Sequence, residues 1–304
     1  MWGITFNLEG LGPSANVTAM GSSSPYGGGG DSLGMYVGIT CLSLSTNAFC
    51  LNANSTGPEP GMFTGSTWIN TYVSAPCDIN LGNNQDDGTM IGTRLQSDGS
   101  CTHGQYELSV ESNWDFIDTY ANIPDAPPYP NEAAIGCTNG TEFNGLFIES
   151  SGTTDIDWPL QYNSGAVGVC KITRLNTNLT MSGGSADSAL IRVNAPTGSS
   201  NVQGIQLGNF YESSGTTPPY LFSIFNGSST ATGTINLNIT GYGWNAFATK
   251  FAIMGSGGTT NSNDVLTFTG CFNGNCGLYK APAAASLSSP SWTLSTPAAG
   301  PIAF

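Results

Sequence analysis

The stretch MWGITFNLEG, residues 1–10, opens the chain with a regular alternation of apolar and polar side chains. Trp2, Ile4, Phe6 and Leu8 take every second position, and small or polar residues stand between them. Because side chains on one face of a strand repeat with a period of two, this stretch predicts a half-buried β-strand. A strand needs a sheet, and the sequence leaves open whether that sheet belongs to the same molecule or to a neighbouring copy.

Strand-like runs recur along the rest of the chain. YVGITCLSL (36–44), GLFIES (145–150) and VGVCKITRL (167–175) are examples, and Gly, Asn or Pro turns separate such runs every 8 to 15 residues or so. The pattern predicts an all-β protein of the β-sandwich or jelly-roll type, with two packed β domains and an extended N-terminal strand. The best helical segment is NAFATKFAIM (245–254), and a short helical turn is expected near SNWDFIDTY (112–120).

Changes in composition divide the chain into segments. We expect an N-terminal strand (1–10), a Gly/Ser-rich flexible linker (11–30), a first β domain (31–123), a Pro-rich linker (124–132) and a second β domain (133–304). Within the second domain LFIESSGTT (146–154) is echoed by NFYESSGTT (209–217), 63 residues later. Either a β-unit of about 60 residues is duplicated, or two Gly/Ser/Thr-rich turns are similar by chance.

Charge excludes several classes of partner. The chain has 20 acidic residues and only six Lys and Arg, for a net charge of -14. Nucleic-acid binding requires clusters of basic side chains, so we expect no nucleic-acid partner. The sequence has no apolar run of membrane-spanning length and no N-terminal signal pattern. We therefore expect a mature secreted chain without membrane insertion.

Cysteine usage points to disulfides. The eight cysteines form an even set without a C-x-x-C pair, and a single histidine is too few for most zinc sites. Disulfides indicate an oxidising compartment, which favours an extracellular or cell-surface location. Connectivity does not follow from sequence, and our prediction simply pairs neighbours: Cys41 with Cys50, Cys77 with Cys101, Cys137 with Cys170, and Cys271 with Cys276.

Six N-x-Ser/Thr sequons predict N-linked glycans on an extracellular surface. They lie at Asn16, Asn54, Asn139, Asn178, Asn226 and Asn238. A chain this rich in Ser, Thr and Asn would contain about as many by chance, so their number alone decides nothing. Besides glycans, the one cofactor for which the sequence offers a candidate site is a structural calcium ion.

Calcium is indicated by an Asx-rich loop, DINLGNNQDDGT (78–89). Asp78, Asp86 and Asp87 supply the oxygen ligands that calcium prefers, but their spacing is not that of an EF-hand. Asx-rich turns also form without metal, because the side chains hydrogen-bond to the local backbone.

No catalytic signature is complete. GDSLG (30–34) has the G-x-S-x-G form, but a nucleophile at Ser32 needs a histidine base, and His103 is the only histidine. We therefore assign no catalytic residue and expect a protein that is not an enzyme.

A glycoside hydrolase is the leading enzymatic alternative. It would use Glu149 with Asp155 or Asp157, and Trp158 as a platform for a sugar ring. The sequence echo places Glu212 at the position of Glu149 without the aspartates, which favours a structural role for the glutamate. Trp68, Trp114 and Trp244 are candidates for a carbohydrate-binding surface, although aromatic residues in strands more often belong to the core.

Residues 1–30 combine an isolated strand with a Gly/Ser-rich tether, in a Lys-poor chain that carries sequons. In this respect the chain resembles the extracellular threads and pili of prokaryotes, archaeal ones especially, whose β-sandwich subunits polymerise by donating an N-terminal strand. The resemblance implies that Trp2, Ile4, Phe6 and Leu8 are donated to a neighbouring subunit. The length of the chain and its eight cysteines depart from the simplest such subunits.

Donation must overcome the cost of ordering the strand. Burying the four apolar side chains contributes about 6 to 12 kcal/mol. Fixing eight backbone residues costs a similar amount, at about 1 to 2 kcal/mol each. A matched groove and a complete hydrogen-bond ladder are therefore required. From these considerations we expect a structural subunit of an extracellular filament or surface layer, with copies of itself and surface glycans as partners; the alternative is a secreted carbohydrate-binding or glycoside-hydrolysing protein.

Overall fold

The computed structural model describes about half of the chain, in separate segments. These are residues 1–9, 18–21, 34–43, 49–52, 65–75, 77–81, 87–96, 108–110, 113–123, 133–137, 140–154, 158–163, 170–181, 189–195, 201–203, 205–214, 220–226, 234–241, 250–254, 266–272, 275–281 and 291–292.

All regular structure in these segments is β-strand. The strands are β1 (Thr5–Asn7), β2 (Thr18–Gly21), β3 (Met35–Val37), β4 (Thr40–Leu42), β5 (Phe49–Asn52), β6 (Ser66–Ile69), β7 (Tyr72–Ser74), β8 (Cys77–Leu81), β9 (Asp87–Ile91), β10 (Arg94–Gln96), β11 (Leu108–Val110), β12 (Asn113–Ile123), β13 (Ala133–Cys137), β14 (Glu142–Thr154), β15 (Trp158–Asn163), β16 (Cys170–Met181), β17 (Ala189–Ala195), β18 (Asn201–Gln203), β19 (Ile205–Ser214), β20 (Tyr220–Asn226), β21 (Thr234–Gly241), β22 (Lys250–Met254), β23 (Leu266–Phe272), β24 (Asn275–Ala281) and β25 (Ser291–Trp292).

The chain winds as a parallel β-helix. The first sheet runs in the order β1-β4-β7-β10-β12-β14-β16-β19, with β3, β6 and β9 beside it, and the second runs β2-β5-β8-β11-β13-β15-β17-β20-β22-β25. The chain passes from one sheet to the other and back, and each strand then pairs in parallel with its counterpart from the previous circuit. A third sheet, β18-β21-β23-β24, lies near the C-terminal end.

One circuit, or coil, takes a variable number of residues. Thr5, Thr40, Tyr72 and Arg94 follow one another in register, which gives coils of 35, 32 and 22 residues. Because the strands keep their register while coil length varies, the additional residues of longer coils lie in the connections between strands.

The predicted β-sandwich or jelly roll is therefore wrong. Sandwich strands of those types pair largely in antiparallel fashion, whereas the only antiparallel pairs among the described strands are β22 with β25 and β23 with β24. The period-two alternation of apolar residues indicates that one face of a strand is buried. Parallel and antiparallel strands show the same alternation, so it does not reveal the direction of pairing. The two predicted helical segments are also wrong where described, because Asn113–Ile123 and Lys250–Met254 are strands.

The segment boundaries can be compared with the sheets. The linker predicted at 11–30 contains β2, which pairs with β5. The Pro-rich segment 124–132 lies outside the described residues, but β12 pairs with β14, and β11 with β13, across it. Both sheets therefore continue from one side of this segment to the other.

The 63-residue echo spans two coils but does not keep the register of the sheet. Glu149 pairs with Asn178, whereas its echo partner Glu212 pairs with Thr177, one position earlier on the same strand. The repeating unit of the structure is one coil, and the two glutamates do not occupy equivalent positions.

A column of residues with positive φ bends the first sheet. Gly38, Asn70, Gly92, Asp118 and Gly145 have φ between 51° and 91° and lie at the same point of five successive coils. The backbone ladder continues through this corner, since the amides of the first three donate to the carbonyl oxygens of Ile69, Ile91 and Ile117. Gly, Asn and Asp are the residues that tolerate this conformation best.

Apolar columns fill the space between the sheets. On the first sheet the column is Tyr36, Trp68, Met90, Phe116, Phe143 and Ile172, and on the second it is Leu51, Ile79, Leu108, Ile135, Leu160 and Ile191. All of these side chains are buried. The rings of Tyr36 and Trp68 stack at 4.1 Å and those of Phe116 and Phe143 at 4.8 Å. Similar side chains thus pack against each other from coil to coil.

Two of the four predicted disulfides lie within the described side chains, and both are formed. Cys41–Cys50 joins β4 to β5, and Cys137–Cys170 joins β13 to β16. Each bond therefore links the two sheets through the core. In the predicted pair of Cys271 and Cys276 the backbones are direct cross-strand partners in β23 and β24. The prediction for Cys101, with its partner Cys77, falls outside the described side chains.

Candidate functional site

The opening strand pairs with its own molecule. β1 lies parallel to β4. The amide of Thr40 donates to the carbonyl oxygen of Ile4 at 2.9 Å, and the amide of Leu8 donates to the carbonyl oxygen of Leu42 at 2.7 Å. The side chains of Ile4, Phe6 and Leu8 are partly buried against the core.

Trp2 does not share the face of the other three apolar residues. Gly3 has φ +57°, which turns the chain between Trp2 and Ile4 and interrupts the alternation. Trp2 is 76% exposed and forms an isolated bridge with Val37. The side chains of Met1 and Met35 are also exposed, and the Met1 ammonium donates to the Met35 carbonyl oxygen at 2.8 Å. We call Met1, Trp2 and Met35 the N-terminal patch.

β1 has a second edge, which faces away from β4. Ile4 and Leu8 direct their backbone groups to β4, so the alternation of a strand directs those of Thr5 and Asn7 to the opposite side. No strand among the described residues pairs with this edge. Lys and Pro commonly protect edge strands from unwanted pairing, but residues 1–9 contain neither, and Glu9 is their only charged side chain.

A second surface lies on the outer face of the first sheet. The register places Tyr72, Arg94, Tyr120 and Phe147 side by side on four successive coils. Two positions further along these strands, Gln96 and Glu149 lie on the same face. We call these six residues the outer stripe. Arg94 is exposed and the others are partly exposed.

Hydrogen bonds orient the rings of the outer stripe. The Tyr72 hydroxyl donates to Oε1 of Gln96 at 2.9 Å, and the Tyr120 hydroxyl donates to Oε1 of Glu149. The rings of Tyr120 and Phe147 are 5.6 Å apart and tilted by 53°. Burial, followed by the hydrogen bond and charge of Glu149, raises the pKa of Tyr120 to about 12. Tyr120 therefore keeps its proton at neutral pH and remains a donor.

The predicted catalytic constellation is described only in part. Glu149 lies in the outer stripe, while Ser32, His103, Asp155 and Asp157 fall outside the described residues. The suggestion that Trp158 is an exposed platform for a sugar is wrong. Its side chain is 1% exposed, and the guanidinium of Arg192 lies 3.8 Å from its ring centroid.

For the other tryptophans the sequence favoured a place in the core over a carbohydrate-binding surface, and the two that are described confirm this. Trp68 and Trp114 are fully buried in the core and cannot contact a ligand at the surface, and Trp244 falls outside the described residues. Apart from the exposed Trp2, the aromatic surface that the structure describes includes the partly exposed Tyr and Phe side chains of the outer stripe, whose proximity depends on the coil register. Sequence reasoning missed the outer stripe because its neighbouring residues are 22 to 27 positions apart in the sequence. Tyr72 lies beside Arg94, for example, and Tyr120 beside Phe147.

The calcium hypothesis stays a prediction. Asp87 is exposed and accepts a hydrogen bond from the Gly65 amide at 2.8 Å, while Asp86 and the side chain of Asp78 are outside the described part. Within the described residues no three His, Cys, Asp or Glu side chains are grouped so as to hold a metal ion.

Of the six sequon asparagines, Asn178 is the one whose side chain is described. It lies within β16, is partly exposed and pairs in register with Glu149, so its side chain borders the outer stripe. Asn226 and Asn238 lie in β20 and β21, and Asn16, Asn54 and Asn139 are outside the described segments.

Comparisons with protein-family models, with curated proteins and with solved structures found no match. In the described segments there is no helix with the length and apolar character needed to cross a membrane. The two disulfides indicate an oxidising environment.

Proposed function

We propose that this protein is a structural subunit of an extracellular filament or surface layer, and that its copies join end to end through the first coil. The observation that carries this proposal is the outer edge of β1, to which no described strand pairs, beside the exposed N-terminal patch. An accessible strand edge offers backbone donors and acceptors to another chain, and the adjacent apolar surface supplies hydrophobic burial on contact.

The β-helix suits this mode of assembly. Every coil offers the next one the same parallel pairing, so a strand from a second subunit extends the sheet without a change of geometry. A contact between the first coil of one copy and a different surface of the next is heterologous, and repetition of such a contact produces an open filament. Disulfides and a low content of charged residues, 9%, are consistent with an extracellular location.

The joint differs from the strand donation that the resemblance implies. Residues 5–7 already pair with β4, so donation of this strand would break its own ladder. Addition of a partner strand to the outer edge of β1 keeps that ladder. We therefore propose edge addition, in which β1 receives a strand from the neighbouring copy.

The substitution Thr5→Pro tests the joint. Proline removes the backbone donor at position 5, which points away from β4, and leaves the bonds of Ile4 and Leu8 in place. Thr5→Val is the matched control, because it changes the side chain and keeps the amide. Sedimentation velocity and negative-stain electron microscopy should show concentration-dependent polymers for the wild type and Thr5→Val, and monomers for Thr5→Pro.

Both proline and valine variants must retain the wild-type unfolding transition for this comparison to be valid. If Thr5→Pro fails this check, Asn7→Pro takes its place, because it removes the other outward backbone donor of β1. A wild-type protein that stays monomeric at all concentrations, or folded proline variants that polymerise as well as the wild type, would contradict edge addition.

A further inference from the structure

We propose that the outer stripe, Tyr72, Arg94, Gln96, Tyr120, Phe147 and Glu149, is a binding site for an electrically neutral polysaccharide that lies along the axis of the β-helix. This site is on the outer face of the first sheet and begins at Tyr72, two strands from β1. It does not depend on the assembly proposed above.

The first argument is the combination of rings and hydrogen-bonding groups. Tyr72, Tyr120 and Phe147 present aromatic surface at the outside of the sheet, and such rings stack well on the apolar faces of sugar rings. Gln96 and Glu149 accept hydrogen bonds from the tyrosine hydroxyls, which holds the rings in place before a ligand arrives. Preorganised side chains lose less conformational entropy on binding.

The second argument is the repeat of the surface. Adjacent parallel strands are about 4.8 Å apart, so the stripe offers a contact at each such step along the axis. Its four coils extend over about 14 Å. A linear polymer of similar units matches a surface that repeats in one direction better than a compact small molecule does.

The third argument is charge. Arg94 and Glu149 carry opposite charges, and the other four residues of the stripe are neutral at pH 7, so the stripe is neutral on a chain with a net charge of -14. An anionic polysaccharide or a nucleic acid would be repelled by the whole molecule and would find one basic group in the stripe. A neutral, hydroxyl-rich polymer has neither disadvantage.

Affinity electrophoresis of the full chain tests this proposal. Native gels contain xyloglucan, galactomannan, laminarin or dextran as neutral probes, and alginate as the anionic comparison. We expect at least one neutral polymer to retard the wild-type protein and alginate to have no effect. Tyr72→Ala and Phe147→Ala should each weaken the retarding interaction about tenfold.

The control variant is Asn144→Ala. Asn144 is exposed on β14, the strand that carries Phe147, but it lies on the other side of the corner at Gly145. It should bind like the wild type. Tyr120→Phe keeps the ring and the fold and removes the bond to Glu149, so an intermediate loss is expected if the bond positions the ring.

Filaments of the protein migrate slowly in a gel even when they bind no polysaccharide. Repeating the assay with the Thr5→Pro variant, which is expected to be monomeric, therefore separates binding at this site from assembly. Absence of retardation by all four neutral polymers, equal binding by the wild type and a folded Tyr72→Ala/Phe147→Ala double variant, or stronger retardation by alginate would each overturn the proposal.

Discussion

Removal of the two disulfides should destabilise the protein by different amounts. Cys41–Cys50 closes a loop with a sequence separation of 9, and Cys137–Cys170 closes one with a separation of 33. In the chain-entropy model a disulfide stabilises the folded state by restricting the unfolded chain, and the effect grows with the logarithm of loop length. The two loops correspond to about 2.6 and about 3.7 kcal/mol at 25 °C.

The comparison is well matched, because all four sulfur-bearing side chains are at most 2% exposed. Replacing either pair with alanine therefore removes a similar volume from the core, and the packing cost should largely cancel between the variants. What remains is the difference in loop entropy, about 1 kcal/mol. We expect Cys137→Ala/Cys170→Ala to be less stable than Cys41→Ala/Cys50→Ala by this amount.

Urea unfolding followed by circular dichroism measures the difference, with peptide mapping under non-reducing conditions to confirm that the remaining pairs are unchanged. The free energies are comparable only if the slope of the transition is the same for both variants. Equal stabilities, or a larger loss from the pair with the shorter loop, would refute the loop-entropy reasoning for this protein.

Three further predictions concern the corner, the core and the outer stripe. Gly145→Ala places a Cβ atom at φ +91°, so it should cost about 1 to 2 kcal/mol in urea unfolding, and Arg174→Ala should not restore the loss, because the strain lies in the backbone. Phe116→Ala should cost about 3 to 5 kcal/mol, since the ring is fully buried and stacked; a loss below about 1 kcal/mol would argue against the packed column. Tyr120 should ionise near pH 12 by ultraviolet absorbance, with Tyr120→Phe as the blank. Its folded-state pKa is raised, so its contribution to stability is complete below pH 10 and is lost between about pH 10 and 12, and Glu149→Gln should lower the pKa only in part, because burial is the larger cause.

The ion pair at the corner shows why local sequence patterns are insufficient for this fold. Arg174 Nη2 lies 3.0 Å from Asp118 Oδ1, although β14 separates their strands. The pair passes over Gly145, where a Cβ atom would lie only 2.7 Å from the arginine nitrogen. The three residues come from three coils, and nothing in the residues next to each of them indicates the other two.

The sequence by itself determined the local features. Apolar alternation predicted strands at both YVGITCLSL and VGVCKITRL, and strands occur within both stretches. Pairing each cysteine with its neighbour in the sequence, a choice that the sequence itself does not force, gave Cys41–Cys50 and Cys137–Cys170, and both bonds are formed. The strands depend on residues within one segment, where the period of the backbone restricts the possibilities, and loop closure costs less for cysteines that are close in sequence.

Only the tertiary structure decided the direction of pairing, the register and the outer stripe. A strand buries the same face whether its neighbour is parallel or antiparallel, so the alternation could not distinguish a β-helix from a sandwich. The register then brought Tyr120 beside Phe147, 27 residues later, while the next coil step, to Asn176, takes 29. Because coil length varies, no fixed spacing in the sequence marks the surface residues that meet. The partner of the opening strand was likewise not evident from the sequence. Only the folded chain shows that β1 pairs with β4 of the same molecule.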